Sequence, residues 1–369
     1  MLKFSPHFLC LTVLVISIGC QPPSSTRQAP TRQAPTRQAE EGNPTQSDRN
    51  NEAIASPPIH SESQYKIPEN EIKATQPWKI LVVVKDTFNS ETEEHGDLYQ
   101  EQVWQGAVGA GEDFEIEVEL LPNTCHTCVE DQIRAIAERL EKGDIDGMAI
   151  MVTDSIRVSP AIEKAIARGI PVVAMDTPLN SDKILTFVAF DNVAGGKVMG
   201  EWVVKQLGGK GRVLILDGAL EQQNAVDRRE GFLAGLGTGD ITILDTQSAQ
   251  WSRERAKKIT GEWLPQHSDI DAIVASNYAM SIGAREAVEE ANRPEIIVTG
   301  FDAMPPALKS IEAGAIAATI DQTPARQARL SIQLLLRHLE NGETFPPRII
   351  MPDIPLIDRD TIKQSQDEG

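Results

Sequence analysis

From Trp78 onward short apolar runs alternate with amphipathic stretches, and that alternation admits few folds. Residues 79–84 (KILVVV) read as a buried strand and 99–110 as the helix after it. Strands at 115–121, 147–152 and 171–176 follow, with helices around 130–142 and 160–168 between them. The rhythm restarts with helix 193–207 and strand 212–217, then a helix ending near Leu236. It continues through 241–246, 253–264, 272–276, 280–292, 295–301 and 305–313. Continuous apolar strands between helices imply parallel sheets covered on both faces. About ten strands over roughly 290 residues suit two doubly wound α/β lobes better than one oversized sheet. A closed eight-stranded barrel is the competing layout.

In open parallel sheets ligands gather beyond the carboxyl ends of the strands. Polar residues stand at those ends: Asp176 after 172–175, Asn277 after 273–276, Asp302 after 297–301, and Asp321-Gln322 after 317–320. The run 244–248 leads to Trp251. Carboxylates and amides fork hydrogen bonds to vicinal hydroxyls, and an aromatic face stacks on the C–H face of a sugar ring. Each has a plainer reading: Asp176 as a turn former before Thr177-Pro178, Asp302 as a helix cap, and Asn277 as the cap of a helix at Met280. Trp251, just before Ser252, could be a hydrophobic staple, although Ala256 is a small partner for an indole.

The two ends differ from this middle. Residues 1–20 combine Lys3 with a short apolar run from Phe8 to Ile18, the shape of a secretory signal and too short to span a bilayer comfortably. Cys20 after a small residue resembles a bacterial lipobox, which implies lipidation at Cys20, with Ser17 in place of the usual Leu; simple secretion is the alternative. Residues 21–77 are polar and Pro-rich, with the repeat TRQAP at 26–30 and 31–35, and are expected to form a disordered tether. The chain carries a net charge of −19, a poor start for binding a phosphate backbone, so no nucleic-acid partner is expected. Neither an H-E-x-x-H pattern, a G-x-S-x-G elbow nor a P-loop occurs, and no cofactor, metal or enzymatic activity is indicated.

Several segments together carry a resemblance. Asp191-Asn192-Val193-Ala194-Gly195-Gly196, Gly209-Lys210-Gly211-Arg212-Val213, Asn224-Ala225 with Arg228 and Gly231-Phe232, Gly300-Phe301-Asp302 and Ala317 to Gln322 occur in order. So does His267-Ser268-Asp269-Ile270-Asp271-Ala272-Ile273. From about residue 79 to 358 the chain resembles the ribose-type periplasmic binding proteins of sugar ABC transporters. The resemblance implies two Rossmann-like lobes joined by three hinge strands, the type I periplasmic binding protein fold, closing on a sugar. It implies lobes at 78–186 plus 323–353 and at 187–322 plus 354–364, with a tail at 365–369. Hinge crossings are expected near 186–191, 301–302 and 322–324.

The resemblance also implies ligand contacts at Asp176, Trp251, Asn277, Asp302 and Gln322. In the first-strand loop, counting back from Gly106 puts Asp97 at the family's Asn, Tyr99 at its first aromatic and Gln100 at its second, across an insertion at 85–96; Asn89 competes with Asp97. Val226 replaces a sugar-binding Arg of the family, leaving Arg228, and Tyr278 replaces an Asp after Asn277; both argue against ribose itself. The implied protein is an extracytoplasmic monomer, lipid-anchored at the cell envelope, delivering a sugar or polyol to an ABC permease. A sugar sensor presenting its closed form to a chemoreceptor or kinase is the alternative. Cys125 and Cys128 form a C-x-x-C before a helix, read as a local disulfide, with thiol-redox chemistry as a rival function and a metal site with His126 as a third reading.

Overall fold

The alternation resolves into two separate sheets in the computed structural model, which describes residues 66–67, 70–87 and 97–367. In chain order the first run is β1 (Lys79–Val83), α1 (Leu98–Phe114), β2 (Glu117–Leu121), α2 (Val129–Leu140), β3 (Gly147–Ile150), α3 (Ser159–Ala167), β4 (Val172–Met175) and β5 (Thr186–Ala189). The second is α4 (Asn192–Gln206), β6 (Lys210–Asp217), α5 (Gln223–Leu236), β7 (Asp240–Ser248), α6 (Arg253–Trp263), β8 (Ala272–Ala275), α7 (Tyr278–Glu290), β9 (Ile297–Thr299), α8 (Pro305–Ala313) and β10 (Ala318–Ile320). A long helix α9 (Pro324–Asn341), two short strands β11 (Arg348–Ile350) and β12 (Leu356–Asp358), and α10 (Arg359–Asp367) complete it.

Sheet one has the order β11-β5-β4-β3-β1-β2 and sheet two β12-β10-β9-β8-β6-β7. All pairs are parallel except β10 with β12. Apart from Lys79 at the start of β1, the central strands are apolar and buried, as two-sided cover by helices demands. In both sheets the chain winds outward in opposite directions from one point, between β1 and β3 and between β6 and β8. At such a point the following loops part and leave a crevice. In the second lobe α4 and α5 approach so closely that a Cβ on Gly231 would lie 2.2 Å from the Val193 carbonyl oxygen.

Within the described residues the chain passes between the sheets three times: after β5, between β10 and α9, and between β11 and β12. The third passage therefore lies at 351–355 and not at Phe301–Asp302, where the chain stays in the second lobe because α8 packs on α7 and β10. The tether expectation through residue 77 also needs correction. Ile67, Ile72 and Ala74 pack on the first lobe's core, the Ala74 amide donates to the Phe114 carbonyl at 2.9 Å, and Arg329 and Arg337 of α9 hold Glu71 and Asn70. The expected tail is shorter as well, since α10 continues to Asp367. The leader, Cys20, Asn89 and the repeat region lie outside the described residues. No helix among the described residues is long and apolar enough to cross a membrane.

Candidate functional site

The carboxyl ends of the two sheets face one another, and their polar residues line one inner cavity. Lys85, Asp97, Tyr99, Gln100, His126 and Asp176 come from the first lobe. Asn224, Arg228, Trp251, Asn277 and Asp302 come from the second, and Gln322 from the passage between β10 and α9. The nine ligand-contact candidates Asp97, Tyr99, Gln100, Asp176, Arg228, Trp251, Asn277, Asp302 and Gln322 are all on that wall, while the rival Asn89 lies outside the described residues. The cavity measures about 30 Å³, room for one or two waters. It opens into a vestibule of about 640 Å³ bounded by Asp86, Thr87, the Cys125–Thr127 turn, the segment from Gln250 to Arg255 and Tyr278.

Three of these residues hold a backbone conformation that non-glycine residues rarely adopt: Asp176 at φ 63°, Trp251 at φ 66° and Asp302 at φ 87°. Each such residue costs about 1–3 kcal/mol and persists only where the surroundings over-determine it. Here the ladder does so: the Asp176 amide donates to Val188 at 3.1 Å and the Asp302 amide to Ile320 at 2.7 Å. The twist turns both carboxylates off their strand lines and into the crevice. For Trp251 the room comes from Gly218, where a Cβ would lie 2.2 Å from the indole.

The first-lobe wall is a web of paired charges. Lys85, 3% exposed, follows β1 and its Nζ donates to Asp176 Oδ2 at 2.6 Å, Thr177 Oγ1 at 2.5 Å and, across the cleft, Gln222 Oε1 at 3.0 Å. Tyr99 Oη donates to the other Asp176 oxygen at 2.9 Å. Burial works against the Asp176 charge, but Lys85 and these hydrogen bonds outweigh it and leave the carboxyl below its ordinary value. Asp97 caps α1 through the Tyr99 amide at 2.9 Å and pairs with His126 Nε2. Burial opposes the His126 charge as well, yet Asp97 and, at 3.9 Å, Asp86 hold the imidazole above its ordinary value. His126 rides on the turn closed by a Cys125–Cys128 disulfide, and its carbonyl accepts from Gln222 Nε2 at 2.9 Å.

The second-lobe wall is less satisfied. Asp302 accepts from Gln322 Nε2 at 2.5 Å and lies 3.8 Å from Arg228; burial dominates and pushes its carboxyl up to about 6. Its helix-cap reading fails, because Met304 occupies the cap position of α8. Asn277 does cap α7, its Oδ1 taking the Met280 amide at 2.9 Å, and its Nδ2 reaches the Trp251 carbonyl at 3.3 Å. Arg228 is fully buried, its Nη2 on Asn192 Oδ1 at 2.6 Å and its plane 3.9 Å from the Phe301 ring, so this guanidinium both braces the lobe and faces the cavity. Val226 does not line the cavity. Tyr278 spans the cleft instead, its hydroxyl accepting the Leu98 amide at 3.1 Å.

Among the described residues His126 Nδ1 on the first-lobe wall is without a hydrogen-bond partner, and so are two buried oxygens, Asn224 Oδ1 and Gln322 Oε1. Their orientation is fixed, since each amide nitrogen is spent on a carboxylate: Asn224 Nδ2 on Asp176 at 3.2 Å and Gln322 Nε2 on Asp302. The second-lobe wall thus presents two unpartnered acceptors to the cavity. The sequence reading missed four participants. Lys85 fell at the start of the 85–96 insertion, His126 was weighed only as a metal ligand, Asn224 stood out only within the family pattern, and Gln222 was not singled out.

A periplasmic binding protein domain matches residues 92–344. The ribose import binding protein of Escherichia coli (strain K12) is 32% identical over 177 residues, 48% of this chain and 60% of that protein. The chain therefore spans about three fifths of the length of the first curated relatives it matches. The D-ribose/D-allose-binding protein of Pseudomonas aeruginosa is 32% identical over 225 residues, 59% of this chain and 70% of that one. Among solved structures, an ABC transporter solute-binding protein from Actinobacillus succinogenes with bound D-allose superposes with a TM-score of 0.70 at 28% identity, covering 78% of this chain and all of that one. With both lobes, their passages and the strand-end crevice in place, the chain belongs to the periplasmic binding protein family.

Proposed function

We propose that this chain is an extracytoplasmic solute-binding protein that captures a neutral sugar or polyol between its lobes and delivers it to an ABC permease. The observation that carries the reading is the shared cavity, where two unpartnered acceptors and an unpartnered imidazole nitrogen suit a ligand whose hydroxyls both donate and accept. Asn224 Oδ1, Gln322 Oε1 and the carboxylates of Asp176 and Asp302 accept from hydroxyls, and Trp251 stacks on the ligand's C–H face. A carboxylate or phosphate group cannot donate to Asn224 Oδ1 and Gln322 Oε1 and would leave both unpaired. The ligand-binding names of the relatives point the same way.

Contacts such as Leu98 to Tyr278 and Asp176 to Asn224 join the lobes, so the arrangement is a closed one with a cavity of about 30 Å³; a sugar bound across both lobes holds them together at a slightly wider setting. The protein works as a monomer held to a membrane by lipid on Cys20, and the stretch after Cys20 gives it reach. Calorimetry of the purified chain against pentoses, hexoses, polyols, uronic acids and sugar phosphates tests the ligand class. Saturable binding confined to neutral members supports it, and binding of the acids alone refutes it. Fatty-acid labelling that survives Cys20→Ser would remove the anchor.

A further inference from the structure

The closed lobes meet without sealing the cleft. Leu98 and Tyr278 join across it, as do Asp176 and Asn224, yet a vestibule of about 640 Å³ persists at its mouth beside the inner cavity of about 30 Å³. The vestibule is therefore no product of the lobes standing apart. Its size falls within the roughly 300–1,000 Å³ of small-molecule sites, which bury most of the ligand they hold. Asp97, His126, Trp251 and Asn277 line both spaces and so form the neck between them.

The vestibule lining is of two kinds. Leu98, Tyr278, Ala279, Ile282 and Pro306 offer apolar surface, while Thr127, Gln250 and Arg255 offer hydrogen-bonding groups. A sugar ring is mixed in the same way, with a C–H face and a rim of hydroxyls. At the neck His126 Nδ1 is buried and has no partner among the described residues. Asp97 takes the other ring nitrogen and holds the imidazole toward its charged form, in which Nδ1 can only donate. A glycosidic oxygen, which accepts and cannot donate, matches such a group. We infer that the ligand is a glycoside: one sugar ring occupies the inner cavity, the linking oxygen passes His126 at the neck, and a second ring lies in the vestibule. This inference rests on the sugar reading proposed above and narrows it to a substrate class.

The test compares D-ribose, D-xylose, D-glucose and D-galactose with their phenyl glycosides in both anomers, and with xylobiose, cellobiose and lactose, by calorimetry. In the wild type at least one glycoside is expected to bind about tenfold tighter than its parent monosaccharide. Ile282→Trp, which fills the vestibule from a half-buried position, should lower the ratio of glycoside to monosaccharide affinity by about tenfold. Should that variant fail to fold, Thr127→Trp, at an exposed position on the disulfide turn, has to lower the same ratio. Monosaccharide binding with no glycoside tighter than its parent would overturn the inference and leave the sugar reading intact. A folded vestibule variant whose ratio matches the wild type would do the same. A folded wild type that binds none of the probes, nor any other neutral polyol, overturns both.

Discussion

The two walls of the cavity are built on opposite plans. On the first lobe each carboxylate has its own cation, Asp176 with Lys85 and Asp97 with His126, at hydrogen-bond distance. On the second lobe the one cation near Asp302 among the described residues is Arg228 at 3.8 Å, a guanidinium already engaged with Asn192 and Phe301, and the facing amide oxygen of Gln322 has no partner among them. A wall neutralised in advance can stay rigid while the lobes are apart. A wall with unmet acceptors is stabilised only when a guest supplies protons, so the free energy of capture should be concentrated on the second lobe.

That asymmetry is open to direct challenge. Asp302→Ala or Trp251→Ala should weaken ligand binding by about 100-fold, on the order of 3 kcal/mol, with the fold retained by circular dichroism. Full affinity in either variant would refute the assignment of this wall. Next in size is a pH effect. With its carboxyl near pH 6, Asp302 loses its charge as the medium is acidified through that value, and ligand affinity should fall severalfold from pH 7 to pH 5. Folding responds with the opposite sign: the folded chain holds this proton more tightly than the unfolded one, so Asp302 adds stability as pH drops from about 6 toward 4. Asp302→Asn should flatten both trends, and a profile identical to wild type would count against them.

The first-lobe pair gives a smaller signal in a different window. His126 faces Asp97, Asp86 and Lys85, and its raised value means the ion pair's contribution is complete below about pH 6.5 and lost as pH rises through the folded value. Melting temperature should therefore decline from pH 6 to pH 8.5 more steeply in wild type than in His126→Gln. Parallel slopes would show the pair to be thermodynamically silent. Reduction of the Cys125–Cys128 bridge should have the least effect. The loop it closes is only three residues in sequence separation, for which chain entropy allows about 2 kcal/mol at most, and affinity should change less than threefold in dithiothreitol. A large loss on reduction would mean that the His126 carbonyl contact with Gln222 matters far more than this comparison assigns.

How far the sequence reached depends on whether a residue's partners were near it in the pattern. Asp176, Asn277 and Asp302 were legible because parallel sheets send ligands to strand ends, which a periodicity reading locates directly. Lys85 was not, since it falls at the start of the 85–96 insertion and its partners lie 91 and 137 residues away. The same distance hid the docking of Asn70 and Glu71, whose polar surroundings look like tether until Arg337 and Arg329 are brought to them by α9. Strands β5, β11 and β12 escaped notice because β5 follows β4 and β12 follows β11 with no helix between, outside the alternation that located the other short strands. Asn277 shows the converse: its plainer role as a cap and its place on the cavity wall are both realised in one side chain.

Three separate strands of chain run between the lobes. A single connector would permit wobble in every direction, but three attachment lines leave chiefly one swing free. Any pair of dyes placed on opposite rims should then report occupancy through a single coordinate, so this chain could be turned into an optical gauge for its ligand without engineering the pocket at all.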